Sequence, residues 1–187
     1  MGIDLYNHTY DKFCALIEKH SPFVLELGCG PGNITKYLLD KRPDILWEGV
    51  DVSPKMIELA KINNPTANFQ VMDIRNLSGF QQTFDAIVAG FCIPYLSLED
   101  CAKLFSACSN LLTDGGIFYL SFVEGDHAKS GFQSGSTGDR MYFYFHNLMK
   151  ITAALKTNQL DIIETYRVEY PRGNNFEVHT ILLIRKN

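Results

Sequence analysis

The sequence predicts an α/β fold built on a largely parallel sheet, and three observations carry that reading. Short apolar runs alternate with longer stretches of helical periodicity, the pattern of repeated strand–helix units. The first apolar run leaves through a turn holding Gly28, Gly30 and Gly32 and enters a helix directly. The chain closes with "LDIIETYRVEY" and "EVHTILLIRK", joined by "PRGNN", which read as an antiparallel hairpin at the end of the sheet. With 187 residues, 46% hydrophobic and 20% charged, the chain has the size and balance of one domain with a sizeable core.

The elements follow in order. "FVLEL" (23–27) is a first strand, and "NITKYLLDK" after the glycines places Ile34, Tyr37 and Leu38 at helical spacing. "ILWEGVD" (45–51) is a second strand. Ser53 then caps a helix that Pro54 opens, because proline's missing N–H costs nothing in a first turn. "NFQVMD" (68–73) and "FDAIVAGF" (84–91) are the third and fourth strands. Ser97 and Asp100 form a capping box for a helix that lines up Leu98, Cys101, Phe105, Cys108 and Leu112. "DGG" (114–116) reads as a turn before a fifth strand, "IFYLSFV" (117–123). From Glu124 to Arg140 the chain is rich in Gly and Ser without periodicity, the mark of a lid or binding loop, and a helix is predicted from Phe145 to Thr157. At the other end, Tyr6, Tyr10 and Phe13 share one face of a predicted N-terminal helix.

Composition narrows the function. A formal net charge of −4 argues against a surface built for nucleic acid or anionic lipid. No apolar run approaches the roughly 20 residues of a membrane-spanning helix, and no secretory signal is visible at the N-terminus. Five cysteines without C-x-x-C spacing read as reduced thiols of a cytoplasmic protein, with no metal site.

A strand, a glycine-rich turn and a helix form a cradle for a nucleotide-like ligand: the glycines admit close approach and the helix start offers free N–H donors. Asp51 ends the next strand, where an acidic residue can accept both ribose hydroxyls, and Asp73 ends the third strand on the same sheet edge. Taken singly, each aspartate could instead be a cap or turn residue. The dinucleotide pattern G-x-G-x-x-G is broken by Asn33, and the G-K-[ST] ending of a triphosphate loop is missing.

"LELGCGPG" resembles the first motif of class I S-adenosylmethionine-dependent methyltransferases, an acidic residue followed by G-x-G-x-G. "VDVSPKMIELAK", "NFQVMDI", "FDAIVAGFCIPYLS" and "LLTDGGIFYLSF" resemble that family's next four motifs in order, so the resemblance covers residues 24–123. It implies a Rossmann-like, seven-stranded, mostly parallel sheet with a reversed last strand and helices on both faces. It also implies S-adenosyl-L-methionine as cofactor and a set of roles. Glu26 and the backbone of Gly28, Cys29, Gly30 and Gly32 would hold the aminoacyl end. Asp51 would bind the ribose, with Val52 and Met56 beside the adenine; Asp73 would meet the adenine amino group and Ile74 would pack on the ring. Ala89, Gly90 and Phe91 would line the floor near the sulfonium. Residues 1–20 would lay a cap helix over the cofactor, with Tyr6 or Tyr10 closing the site, and residues 124–145 would form a lid or substrate segment.

The donor carries the activated methyl, so the protein must chiefly hold an acceptor in line and exclude water. A base is needed only for an acceptor with a proton to lose, and the candidates are Tyr95, His127 and His146. For each the plain alternative is packing or a solvated loop. "CIPY" (92–95) departs from the Asn/Asp-Pro-Pro-Tyr motif of DNA amino-methyltransferases, since Cys92 offers no acceptor for a base's amino hydrogens. "MYFYFH" (141–146) either lines an apolar pocket or is a short extended segment burying Phe143 and Phe145. The expected activity is therefore methyl transfer to a small-molecule acceptor by in-line displacement. A non-catalytic cofactor-binding module and a nicotinamide-dependent oxidoreductase are the rivals.

Overall fold

The computed structural model describes residues 3–134, 140–173 and 175–187. After a 3-10 turn at Ile3–Tyr6 the elements are α1 (Asn7–Leu16), β1 (Phe23–Leu27), α2 (Asn33–Lys41), β2 (Leu46–Asp51), α3 (Pro54–Asn63), β3 (Asn68–Val71) and β4 (Phe84–Gly90). They continue with α4 (Leu98–Leu111), β5 (Leu112–Glu124), β6 (Gly131–Ser134), β7 (Arg140–Phe143), α5 (Leu148–Thr157), β8 (Leu160–Arg172) and β9 (Asn175–Lys186).

Seven strands form one sheet in the order β3-β2-β1-β4-β5-β9-β8. The first five run parallel, and β9 is antiparallel to both its neighbours. The order reverses between β1 and β4, and ligands of open α/β sheets bind outside the carboxyl ends at such a switch.

Because a parallel sheet is covered on both faces, its central strands are apolar on both sides. Ala86, Ile87, Val88 and Ala89 of β4 are all fully buried. Leu25 and Leu27 of β1 pack into the layer with α4 and α5, whereas Val24 enters the layer with α1, α2 and α3. Tyr10 and Phe13 dock α1 onto that second layer, and Thr9 Oγ1 meets the Tyr119 hydroxyl at 2.9 Å. Burying such side chains contributes about 1.5–3 kcal/mol each.

Four sequence expectations are corrected. The "DGG" stretch belongs to β5, which already begins at Leu112; an irregular register between Phe84 and Ala86, with Gly115 at φ 74°, absorbs the extra residues. β3 stops at Val71, because Asp73 turns the chain by accepting the Arg75 N–H. The segment after Glu124 is not one structureless loop: a 3-10 turn at His127–Lys129 precedes β6, which pairs with β7 as a two-stranded ribbon. Residues 135–139 of the expected lid lie outside the described residues. The last helix starts at Leu148 rather than Phe145, since the Asn147 side chain caps it and His146 is held in a bridge to Glu124.

Candidate cofactor and acceptor site

The loop after β1 meets the sheet edge through three glycines with positive φ, 67° at Gly28, 53° at Gly30 and 79° at Gly32. Their reasons differ. A Cβ at Gly28 would lie 2.7 Å from Cys92 Cβ, and one at Gly32 would lie 2.3 Å from Asn64 Nδ2. These two are glycine because the protein itself packs against them. A Cβ at Gly30 would meet nothing within 4 Å. There the backbone faces open space at the switch point, a cradle that any side chain would begin to fill.

Neighbouring chain fixes the loop. Cys29 N–H donates to Val50 O at 2.9 Å and Gly32 N–H to Cys29 O at 3.0 Å, while Asn63 and Asn64 donate to the carbonyls of Pro31 and Gly32. Asp51 accepts Gly30 N–H on Oδ2 and Ser53 N–H on Oδ1, each at 2.9 Å. A carboxylate has about four acceptor sites, so capacity remains for ribose hydroxyls. Cys29 is buried and its thiol is pushed up by burial, which makes it a filler and no nucleophile.

Glu26 lies beneath this loop, 1% exposed, and accepts a hydrogen bond from Thr35 Oγ1 of α2. Burial raises its carboxyl to about 8. Val52 is exposed and Met56 half-buried beyond Asp51. Asp73 is gripped by Arg75 through contacts of 2.6–3.0 Å, and that guanidinium holds its carboxyl below the usual range. Ile74 is half-buried against the core.

Beyond β4 the picture changes. The Ala89 side chain is fully buried in the layer with α4 and α5. Gly90 leaves room for Ile34, whose Cδ1 would lie 2.3 Å from any Cβ there. Phe91 holds φ 55°, a sparsely populated conformation for a side chain of this size, pinned by its N–H to the Ser121 carbonyl and hydroxyl at 3.1 Å. Its ring meets Tyr6 at 5.2 Å and His179 at 4.9 Å. The Tyr6 hydroxyl shares a 2.6 Å hydrogen bond with His179 Nδ1, and the imidazole stacks on Tyr170 at 4.8 Å. Tyr6 is the closing residue that the family resemblance implies, whereas His179 carries no sequence signal beyond its place in the last strand.

The three candidate bases separate. His146 is 2% exposed, donates from Nε2 to Ile93 O at 2.9 Å, and has its basicity lowered by burial. That is the geometry of the packing alternative. His127 is exposed on the rim of a hollow of about 360 Å³ bordered also by Glu124, Asp126 and Lys150. Tyr95 is 50% exposed, edge-on to Phe143 of the ribbon. Phe143 and Phe145 are only half-buried.

Residues 24–116 match the profile of a family described as a methyltransferase domain. Trans-aconitate 2-methyltransferase of Escherichia coli O7:K1 is 37% identical over 102 residues, which is 54% of this chain and 39% of that enzyme. The chain thus spans 39% of the length of that curated relative. An S-adenosylmethionine-dependent methyltransferase from Clostridium acetobutylicum superposes with a TM-score of 0.77 at 19% identity, covering 100% of this chain and 93% of its own. Magnesium protoporphyrin IX methyltransferase from Synechocystis, solved with bound S-adenosylmethionine, gives 0.72 at 18% identity over 98% of this chain and 80% of its own. At these identities the superpositions establish the fold.

Proposed function

We propose that this chain, which belongs to the class I S-adenosylmethionine-dependent methyltransferases, transfers a methyl group to a small-molecule acceptor by in-line displacement. The observation that carries the reading is Gly30, whose backbone opens onto the carboxyl edge beside Asp51 while its two neighbouring glycines are closed by protein. Bound there, S-adenosylmethionine supplies a sulfonium-activated methyl group.

The chain's own residues supply binding and orientation. Asp51, already locked by two backbone donors, presents its remaining lone pairs to the ribose without reorganising. Asp73 and Ile74 receive the adenine, with Val52 and Met56 alongside. Gly90 and the strained Phe91 form the floor, held from behind by Ser121 and from the side by Tyr6. Tyr6 and α1 shield that end from water. Tyr95 and His127 are the remaining groups able to contact an acceptor.

A small acceptor is supported by the net charge of −4, and by a relative named for its action on trans-aconitate. Five unpaired thiols support a reducing compartment such as the cytoplasm. The test is calorimetric titration with S-adenosylhomocysteine, followed by a metabolite screen for conversion of S-adenosylmethionine to S-adenosylhomocysteine. Binding with acceptor-dependent turnover is expected. Binding without turnover across the screen would favour a non-catalytic module, and NAD binding in place of either nucleoside would overturn the reading.

A further inference from the structure

Among the described residues Glu26 is the only fully buried carboxyl, and its surroundings contain no cation to balance it. Every element packed against it contributes neutral or acidic groups. These are Tyr10 from α1, Thr35 from α2, Trp47 and Asp51 from β2, Cys29 from the loop and Cys92 from the turn after β4. Thr35 gives it one hydrogen bond. Trp47 Nε1 acts on the same carboxyl, yet it is buried and outside hydrogen-bonding geometry with any acceptor among the described residues. A buried polar donor left over beside a buried acid is the arrangement expected when the acid is neutral and accepts less than its anion would.

We propose that Glu26 is a proton-exchanging counter-ion, protonated in the cofactor-free protein and ionised when the cofactor's ammonium settles on the loop above it. The proposal rests on the cofactor reading given above. In the neutral state the site needs no compensating charge. When a cation arrives, the carboxyl O–H bond breaks, the proton passes to solvent, and the carboxylate becomes the ammonium's partner. Thr35 then donates to an anion, and the spare Trp47 N–H gains an acceptor. The direction of the buried acid's basicity agrees, since burial holds it at about 8, above the usual carboxylate range.

Cofactor binding is then linked to pH. A calorimetric titration with S-adenosylhomocysteine, which keeps the ammonium, is run at about pH 6.5 in two buffers of different ionisation enthalpy. It should report release of nearly one proton per site. Between about pH 6 and 7.5, where the ligand's own amine stays charged, the apparent Kd should tighten by up to about tenfold per pH unit. Glu26→Gln should abolish both the proton release and the pH slope. Thr35→Val keeps the acid but removes a donor to its anion, so it should move the break in the profile upward by about one pH unit. Wild-type binding with no proton release, or release that survives in Glu26→Gln, would overturn the proposal while leaving the cofactor reading intact. Absence of binding at every pH would overturn both.

Discussion

The loops after β1 and β2 and the segment after β5 lie on the same side of the sheet but are built in opposite ways. The first region is short and tied down: five residues join β1 to α2 and two join β2 to α3. Nearly every turn there is closed by a backbone donor or by Asn63, Asn64 or Asp51. The second region is a ribbon whose Phe132, Met141 and Tyr142 face solvent, attached to the turn after β4 by Tyr144 N–H donating to Pro94 O at 2.7 Å. On the function proposed above, the difference is a division of labour: a cofactor shared across a family calls for donors and acceptors fixed in place, whereas acceptor choice can sit on a segment free to change without disturbing them.

The sharpest way to break this comparison is at Gly30. Gly30→Val should reduce S-adenosylhomocysteine affinity by more than 100-fold in calorimetry. Gly115→Val, with equally open space and a similar positive φ at the opposite sheet edge, should leave affinity unchanged while costing comparable stability. Equal losses at both positions would mean that backbone strain, not occupancy, explains Gly30. Next in size, Asp51→Ala removes a charged acceptor from the ribose and also releases Gly30 N–H; each such bond is worth about 1.5–3 kcal/mol, so affinity should fall at least tenfold.

Glu26 links the same region to stability. Burial raises its folded-state pKa from the unfolded value of 4.5 to about 8, so the native state binds the proton more tightly. The stabilisation is therefore fully present below about pH 4.5 and lost as pH rises through about 8, a change on the order of a few kcal/mol. Thermal melts of the cofactor-free protein should show that decline, and Glu26→Gln should lack it.

Tyr6→Phe removes the hydrogen bond to His179 and should cost about 1 kcal/mol in denaturant unfolding, with a larger relative effect on turnover than on cofactor affinity. Smallest of all, Phe132→Ser on the exposed ribbon should change cofactor affinity and stability by less than about 0.5 kcal/mol while shifting KM for the acceptor. A ribbon substitution that weakened cofactor binding as much as Asp51→Ala would erase the distinction between the two regions.

How much was legible from sequence follows the same division. The glycine loop, Asp51 and the Ser53 cap are set by neighbours a few residues away or by the repeating strand–helix unit, so their spacing exposed them. Three things were hidden because they depend on packing across the fold. The Tyr6–His179 hydrogen bond joins residues 173 positions apart. The burial of His146 against Ile93 follows from how the ribbon meets the turn after β4. The cation-free surroundings of Glu26 come from four separate elements and the loop, and its sequence context shows only an acid before glycines. The alternation of "MYFYFH" already offered an extended segment where β7 lies, whereas β6 escaped notice, since Gly and Ser suppress the alternation that marks a strand.

The most direct measurement is a crystal structure of the complex with S-adenosylhomocysteine. The ribose is expected on Asp51, the purine between Val52 and Ile74, and the amino-acid end against Gly30 with Phe91 below the sulfur. Density in the cleft at the opposite edge, beside Lys19, Asp85 and Arg185, with Gly30 facing only solvent, would contradict it.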